Sequence, residues 1–252
     1  MEQSVSWKQL VVDALRYLGG AASLKDITAV VGTNPARPDT RTWDATIRRV
    51  VRQYNIFEPF RTQNGLAGYR LIEIPKPGPK GSGKDDPHGA QQAMLLTLGS
   101  ILGYDTFTNQ TDRTIRKFRG ESISKFATVR NDSEGLSALP LEKMRTTDVM
   151  WLSQDSEGLY PKFAFEVEHS TKVKSGMDRL QRIPARFNAK LCVVGSGNEE
   201  KSLFERYLLE SSFRPLKQRF RFFYYDEVRK FYESGVAFDM HRKDWAVPFN
   251  SP

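Results

Sequence analysis

Residues 160–168 read Tyr-Pro-Lys-Phe-Ala-Phe-Glu-Val-Glu, and this stretch decides how the larger part of the chain is interpreted. From Phe163 onward, large apolar residues alternate with small or acidic ones, which is the period of two that indicates a β-strand. Successive side chains of a strand point to opposite faces of its sheet. Glu166 and Glu168 therefore share one face, and the aromatic residues occupy the other.

The sequence around this strand alternates between helical and strand patterns. An apolar helix is predicted at 89–102 and a strand at 146–152, before the strand at 160–168. A helix at 173–186, a strand at 189–195, a helix at 199–210 and a strand at 219–225 follow. This order predicts an α/β/α sandwich around a mixed sheet.

The acidic residues of this region point to metal chemistry. Asp148 falls in the strand before Glu166, and 18 residues separate the two. Three carboxylates on adjacent strand ends repel one another unless a cation lies between them, and oxygen ligands of this kind suit Mg²⁺. Zinc is not expected, because Cys192 is the only cysteine. His88 and His241 form no metal-binding pattern with nearby residues.

Amino-acid composition, above all a segment rich in proline and glycine, divides the chain of 252 residues into three parts. Four prolines and three glycines at residues 75–87 predict an exposed linker. The predicted domains are 1–75 and 89–252, joined by a linker at 76–88, with net charges of +3, +4 and +1. No secretory signal or membrane span is expected, and the lone cysteine favours a reducing compartment, so the predicted location is the cytoplasm of a prokaryote.

The first domain has the pattern of three helices followed by a β-hairpin. Ser6, Ser23 and Thr42 are the predicted helix caps, and Ile47, Val50, Val51 and Tyr54 form the buried stripe of the third helix. Asn64-Gly65 predicts the hairpin turn. This order is that of a winged helix-turn-helix, whose third helix commonly enters the major groove.

Several polar residues of this domain are candidate DNA contacts. Arg48, Arg49 and Arg52 lie off the buried stripe of the third helix. The alternative is that they form only the solvated face of an amphipathic helix, but the hairpin favours DNA binding. Further candidates close to the third helix or on the hairpin are Arg41, Thr42, Trp43 and Asn64.

Two family resemblances follow from these motifs. Trp7-Lys8, residues 24–27 and residues 42–49 resemble the HARE-type winged helix, which is found fused to chromatin proteins and bacterial restriction endonucleases. Asp148 and Glu166 resemble the acidic pair of the PD-(D/E)XK nuclease superfamily. Glu168 stands where that superfamily usually has Lys, as it does in some restriction endonucleases.

The second resemblance implies roles for residues near the glutamates. Asp148 and Glu166 would hold Mg²⁺, for which Mn²⁺ can substitute, together with the Val167 carbonyl, while Glu168 positions the attacking water. The departure from Lys leaves the general base open, and Lys172 or Lys174 are candidates for the positive charge. Other auxiliary candidates are Glu121, His169, Asn109 and Gln110, and Arg179 and Arg182 either touch the DNA backbone or form a wet helix face.

The resemblances together imply an endonuclease of restriction type that cuts double-stranded DNA and leaves a 5′-phosphate and a 3′-hydroxyl. Two cuts per duplex favour a homodimer. Similarity to the BisI-like modification-dependent enzymes implies recognition of methylated cytosine, with Trp43 as the apolar contact. Two alternatives remain open: a DNA-binding regulator with a degenerate nuclease fold, and a structure-specific or RNA-directed nuclease.

Overall fold

The computed structural model of the protein describes residues 5–38, 42–72, 86–130, 144–155, 158–169 and 172–244. The chain divides into two compact units, the first comprising residues 1–74 and 128–135 and the second residues 75–127 and 136–252. Arg41 and all of the proposed linker before Asp86 lie outside the described residues.

The first unit contains three helices and a small sheet. The helices are α1 (Trp7–Tyr17), α2 (Leu24–Gly32) and α3 (Trp43–Gln53). The strands are β1 (Ala21–Ser23), β2 (Phe57–Arg61) and β3 (Ala67–Leu71), which pair antiparallel in the order β1-β3-β2. The hairpin loop between β2 and β3 contains Asn64 and Gly65, and Gly65 has a φ of 74°.

Two of the three predicted cap residues in this unit form a capping hydrogen bond through their side chain. The side chain of Ser6 accepts a hydrogen bond from Gln9 N, and that of Ser23 accepts one from Asp26 N. Thr42 is the N-cap residue of α3, as predicted, but its side chain makes no capping hydrogen bond. Its φ of −113° and ψ of 29° depart from the extended backbone that aims a cap side chain at the first free N–H groups.

A later segment of the chain completes this unit. Val129 forms an antiparallel bridge with Tyr54, and Asn55 N donates to the Thr128 carbonyl at 2.8 Å. The Arg130 guanidinium donates to the Asn55 side chain and to the Phe57 carbonyl. Residues 128–130 therefore belong structurally with the end of α3, more than 50 residues earlier in sequence.

The second unit is built on a five-stranded sheet in the order β10-β9-β8-β7-β4. Its strands are β4 (Asp105–Thr108), β7 (Val149–Gln154), β8 (Leu159–Glu168), β9 (Lys190–Gly195) and β10 (Phe220–Tyr224). The pairs β8–β9 and β9–β10 are parallel, whereas β4–β7 and β7–β8 are antiparallel, so the predicted mixed sheet is confirmed.

The helices of this unit are α4 (Pro87–Ile101), α5 (Gln110–Ile115), α6 (Val173–Leu180), α7 (Asn198–Tyr207) and α8 (Tyr225–Asp244). A two-stranded ribbon of β5 (Lys117–Phe118) and β6 (Glu121–Ser122) lies after α5. None of the helices in the described ranges has the length and apolar character needed to span a bilayer.

The two faces of the sheet differ in chemistry. Phe165 and Val167 of β8 point into an apolar core with α4 and with Val228 and Tyr232 of α8. On the opposite face, β8 and β9 pack against α6, and α7 also packs on this side. The alternation read from residues 163–168 therefore places the glutamates on the face that α6 covers.

Some predicted boundaries in this unit are wrong. Asp148 lies immediately before β7 rather than inside it. The helix predicted to reach Arg186 ends at Leu180, because the residue before Pro184 is restrained away from the helical region, and a 3₁₀ turn covers Ala185–Phe187. Tyr225 was assigned to the last strand, but it begins the 20-residue helix α8.

Candidate active site

Glu166 and Glu168 lie on β8, the central strand of the five-stranded sheet. Their neighbours on β9 are Val193 and Gly195, and the exposed fractions of the two glutamates are 0% and 6%. Unpaired buried carboxylates are costly, so each must have a partner in the folded chain. The expectation that both share one face of β8 is confirmed, because one side chain reaches both.

That side chain is Arg179 of α6. Its Nε donates to Glu166 Oε2 at 2.9 Å, and its Nη2 donates both to the same oxygen and to Glu168 Oε1, the latter at 3.1 Å. Helix α6 approaches β8 closely at Gly176, where an added Cβ would lie 2.6 Å from Glu168 Oε1. The interpretation of Arg179 as a wet-face or DNA-backbone residue is wrong: its guanidinium is the cation between the two glutamates.

The pKa values of this group record a competition between burial and charge. Burial and the nearby Asp148 charge raise the pKa of Glu166 well above its ordinary value, against the opposing effect of Arg179. Burial likewise raises the pKa of Glu168, to about 7, and Arg179 again opposes the shift. Burial acts to lower the pKa of Arg179, but hydrogen bonding and attraction to Glu166 outweigh it and raise that pKa.

Asp148 is connected to β8 through the backbone. Its Oδ2 accepts a hydrogen bond of 2.8 Å from Val167 N, the residue between the two glutamates. Its own carbonyl accepts a 2.8 Å hydrogen bond from the Thr108 hydroxyl on β4. These contacts hold Asp148 beside the glutamate strand, and the Val167 group that contacts it is the N–H rather than the carbonyl.

A second polar group adjoins Asp148 from the α5 side. Asn109 Nδ2 lies 3.5 Å from Asp148 Oδ1 and donates to Asp112 Oδ2 at 2.5 Å. The buried Gln92 of α4 also donates to Asp112 Oδ2, at 2.7 Å. Asp112 is thus a buried acidic residue of the site that the sequence did not single out.

His88 also belongs to this polar group, contrary to the prediction that it forms no metal-binding pattern. Its Nε2 lies 3.3 Å from Asp148 Oδ2. One ligand atom from each of His88, Asp112 and Asp148 lies within 4.8 Å of the other two, which is a spacing that a metal ion could bridge. The statement that His88 forms no metal pattern is wrong, because its partners are 24 and 60 residues later in the chain.

The carboxylate oxygens of Glu166 are available in different degrees to the magnesium ion predicted at Asp148 and Glu166. Oε1 of Glu166 is buried and has no hydrogen-bond partner among the described residues, although Oε2 of the same carboxylate is bound by Arg179. An orphaned carboxylate oxygen beside a second carboxylate fits a hard divalent cation. Asp148, Glu166 and Glu168 do not themselves form a close three-ligand group in the described residues, because Arg179 lies between the glutamates.

The other auxiliary candidates lie at different distances from this centre. The rings of His169 and Tyr225 stack with centroids 6.2 Å apart, and the Tyr225 hydroxyl donates to the Glu168 carbonyl at 3.0 Å. Lys174 instead pairs with Glu210 at 2.7 Å, and Glu121 pairs with Lys125. Lys172 is exposed at the N-terminal end of α6.

A cleft of about 350 Å³ opens beside Asp148. The residues that line it all have polar or charged side chains: His88, Asn109, Gln110, Thr111, Asp112, Arg116, Arg145, Thr146, Asp148 and Arg179. A larger cavity of about 770 Å³ lies on the opposite, aromatic face of the sheet, between α4 and α8. The polar cleft is the one that adjoins the carboxylates, so the chemistry is assigned to it and not to the larger cavity.

The sequence model of the family described as "Type II restriction enzyme NmeDI C-terminal domain" matches residues 77–242, about two thirds of the chain. The chain belongs to this family. No curated protein and no solved structure matches it significantly. The matched segment contains every residue of the site described above, and membership in the NmeDI family indicates a restriction endonuclease that acts on DNA. Restriction endonucleases typically use Mg²⁺.

The candidate DNA contacts of this NmeDI-family protein lie in the first unit. Arg48 and Arg52 are exposed on α3, and Arg48 pairs with Asp44 at 3.4 Å. Arg49 is partly buried, and its Nε has no partner within the described ranges. Asn64 is exposed in the hairpin loop. These assignments stay predictions, as does that of Arg41.

Trp43 has structural neighbours of its own. An added Cβ on Gly32 would lie 2.8 Å from the Trp43 ring, and the Arg37 guanidinium lies 5.1 Å from the ring centroid. The indole is partly buried between α2 and the start of α3. These contacts fix the ring in place, and its predicted role in methyl recognition stays a prediction.

Proposed function

We propose that the protein is a Mg²⁺-dependent restriction endonuclease that hydrolyses phosphodiester bonds in duplex DNA at the cleft beside Asp148. The observation that carries this proposal is Oε1 of Glu166, which is buried next to Asp148 and lacks a partner in the part of the chain that the structure describes, in a domain of a restriction enzyme family. An orphaned buried oxygen costs free energy, and a site that binds a cation regains it.

Asp148 and Glu166 are the proposed metal ligands, and Mn²⁺ is expected to substitute for Mg²⁺. A bound divalent ion would neutralise charge on the phosphate and lower the pKa of a coordinated water. The chain's own contribution is to orient Asp148, through the Val167 N–H, and to hold Glu166 on the rigid strand β8. His88 and Asp112 lie close enough to Asp148 to join this ligand set.

Glu168 is the proposed residue that positions and deprotonates the attacking water. A general base works best when its pKa is near the working pH, and the Glu168 pKa of about 7 meets that condition. Arg179 takes the place of the lysine that the related nucleases usually carry, because it brings a fixed positive charge to the same strand end. The expected products carry a 5′-phosphate and a 3′-hydroxyl.

The first unit is proposed to recognise the DNA sequence as a winged helix. Three helices and an antiparallel hairpin support this assignment, and α3 carries Arg48, Arg49 and Arg52. A groove of about 390 Å³ lined by residues of α2, α3 and β3 includes Arg48 and Lys25. We extend the proposal to methylated cytosine as the recognised base, with Trp43 as the apolar contact.

A homodimer is proposed because a duplex requires two cuts. The surface that supports a second copy is the aromatic cavity between α4 and α8, together with Phe231 and Phe238, whose exposed fractions are 51% and 54%. These residues are seven positions apart and therefore share one face of α8. Light scattering of wild-type protein and of Phe231→Glu should show a dimer and a monomer respectively; a wild-type monomer would contradict this part of the proposal.

The decisive experiment is digestion of methylated and unmethylated plasmid and genomic DNA with Mg²⁺, Mn²⁺ or EDTA, followed by sequencing of the fragment ends. Cleavage that requires metal and is lost in Glu166→Gln supports the proposal. Absence of cleavage on every DNA, with DNA binding retained, would favour a non-catalytic regulator in which the Arg179 pairs are purely structural. RNA, flap and single-stranded substrates test the remaining alternative.

A further inference from the structure

Three arginines line the cleft beside Asp148: Arg116, Arg145 and Arg179. Two of them are already engaged with carboxylates. Arg116 pairs with Asp86 and, at 3.3 Å, with Asp112. Arg179 pairs with Glu166 and Glu168. Their positive charges are therefore largely compensated by the acidic residues that they hold in place.

Arg145 differs from the other two. Its side chain is exposed and has no hydrogen bond, ion pair or ring contact within the described parts of the chain. It also lies three residues before Asp148, the residue at the centre of the site. As far as the described residues show, the five donors of this guanidinium are available to a ligand in the cleft.

The backbone that carries Arg145 is well anchored. Thr147 N donates to the Met144 carbonyl at 3.0 Å and closes a turn with Arg145 at its second position. Met144 and Thr147, at the two ends of this turn, have exposed fractions of 1% and 0%. Because the main chain is already fixed, binding of an anion costs the conformational entropy of the Arg145 side chain but no further ordering of the backbone.

We propose that Arg145 binds a backbone phosphate of the DNA in this cleft, at the nucleotide whose phosphodiester bond lies against Asp148. The ligand is a phosphodiester because the guanidinium fork matches two phosphate oxygens. The positive charge of Arg145 would also offset the repulsion between this phosphate and the neighbouring carboxylates. This inference rests on the proposed endonuclease function and adds to it the residue that places the DNA strand.

The test compares Arg145→Ala, Arg145→Lys and the control Lys230→Ala, which removes one exposed charge of α8 outside the cleft. Binding of a fluorescent 30-base-pair duplex is measured in EDTA over a series of KCl concentrations. Arg145→Ala should lower the slope of log affinity against log salt by about 1, because one phosphate contact is lost. Arg145→Lys and Lys230→Ala should keep the wild-type slope.

Single-turnover cleavage locates the contact. Arg145→Ala should slow cutting by roughly 100-fold, the effect of removing one charged donor from a reacting phosphoryl group, and Arg145→Lys should recover part of the rate. A wild-type salt slope in Arg145→Ala overturns the proposal whatever happens to cleavage. If the wild-type protein cuts no DNA, the endonuclease function fails, but the salt slope still decides whether Arg145 binds phosphate.

Discussion

Arginine plays different roles in two regions of this protein: on the exposed face of α3 and beside the buried glutamates of the second unit. On α3, Arg48 and Arg52 are exposed, and the ion pair between Arg48 and Asp44 joins two side chains that are about half exposed. In the second unit, Arg179 binds Glu166, which is fully buried, and Glu168, which is nearly so. Water screens the first group, whereas the second acts where screening is weak.

The comparison teaches that burial, rather than the count of charges, decides what an arginine contributes. Removal of an exposed partner leaves a charge that water can solvate, at a cost of about 0–1 kcal/mol. Removal of a buried partner leaves a carboxylate without compensation and costs several kcal/mol. We therefore expect variants of the buried group Arg179, Glu166 and Glu168 to change stability and chemistry, and variants of the exposed arginines of α3 to change DNA binding alone.

The largest expected effect is on cleavage. Glu166→Gln removes a charged ligand from the proposed metal site and should lower the cleavage rate by at least about 1,000-fold, while DNA binding in EDTA stays near the wild-type level. The matched control is Glu205→Gln, which changes an exposed glutamate of α7. Cleavage by Glu166→Gln within tenfold of the wild type would show that Glu166 is not a ligand.

The next largest effect is on stability. Arg179→Met removes the cation between Glu166 and Glu168 and should lower the free energy of unfolding in EDTA by roughly 3–5 kcal/mol near pH 7.5, as measured by urea denaturation. The loss should be smaller at pH 5, where protons can neutralise the glutamates. Arg48→Ala serves as the exposed counterpart. An equal loss of unfolding free energy in both variants would contradict the conclusion that burial decides what an arginine contributes.

A third effect is the pH dependence of the metal-free protein. The pKa of Glu168 is about 7 in the folded chain against an ordinary value of 4.5, so its contribution to stability is fully present below pH 4.5 and is lost as the pH rises through 7. Glu168→Gln should therefore flatten the decline in stability between pH 5 and pH 7.5, by roughly 3 kcal/mol over the whole shift.

The control for that prediction is the pH dependence of Glu205→Gln, which should match the wild type because this change lies on the exposed surface of α7. Mg²⁺ should also reduce the decline, because a bound cation favours the charged carboxylates. A wild-type slope in Glu168→Gln would mean that Glu168 does not titrate in this range.

The smallest effect on stability is expected in the first unit. Arg52→Ala should change the free energy of unfolding by less than about 0.5 kcal/mol, and it should lower the salt dependence of DNA binding by about one unit of slope. Lys230→Ala again controls for loss of net charge. An unchanged slope in single variants of Arg48, Arg49 and Arg52 would favour the interpretation of α3 as a solvated face.

Local patterns accounted for much of the fold. The alternation at 163–168 correctly predicted which face of β8 carries the glutamates, and the cap residues Ser6 and Ser23 correctly predicted where α1 and α2 begin. The stretch from residue 103 to 145 had no clear pattern, because β4, α5 and the β5–β6 ribbon are too short for a period to repeat. Asp112 of that stretch was missed for the same reason, although the neighbouring Asn109 and Gln110 were named as auxiliary candidates.

The sequence by itself determined the strand with its two glutamates, the nearby Asp148 and the arginines of α3, because each depends on a spacing of a few residues along one element. Only the tertiary structure decided which cation reaches the glutamates and which residues reach Asp148. Arg179 is 11 residues from Glu168 and His88 is 60 from Asp148, and such contacts depend on how strands and helices pack. Side-chain periodicity reports the direction in which a residue points, but the partner that it meets there is supplied by a different element.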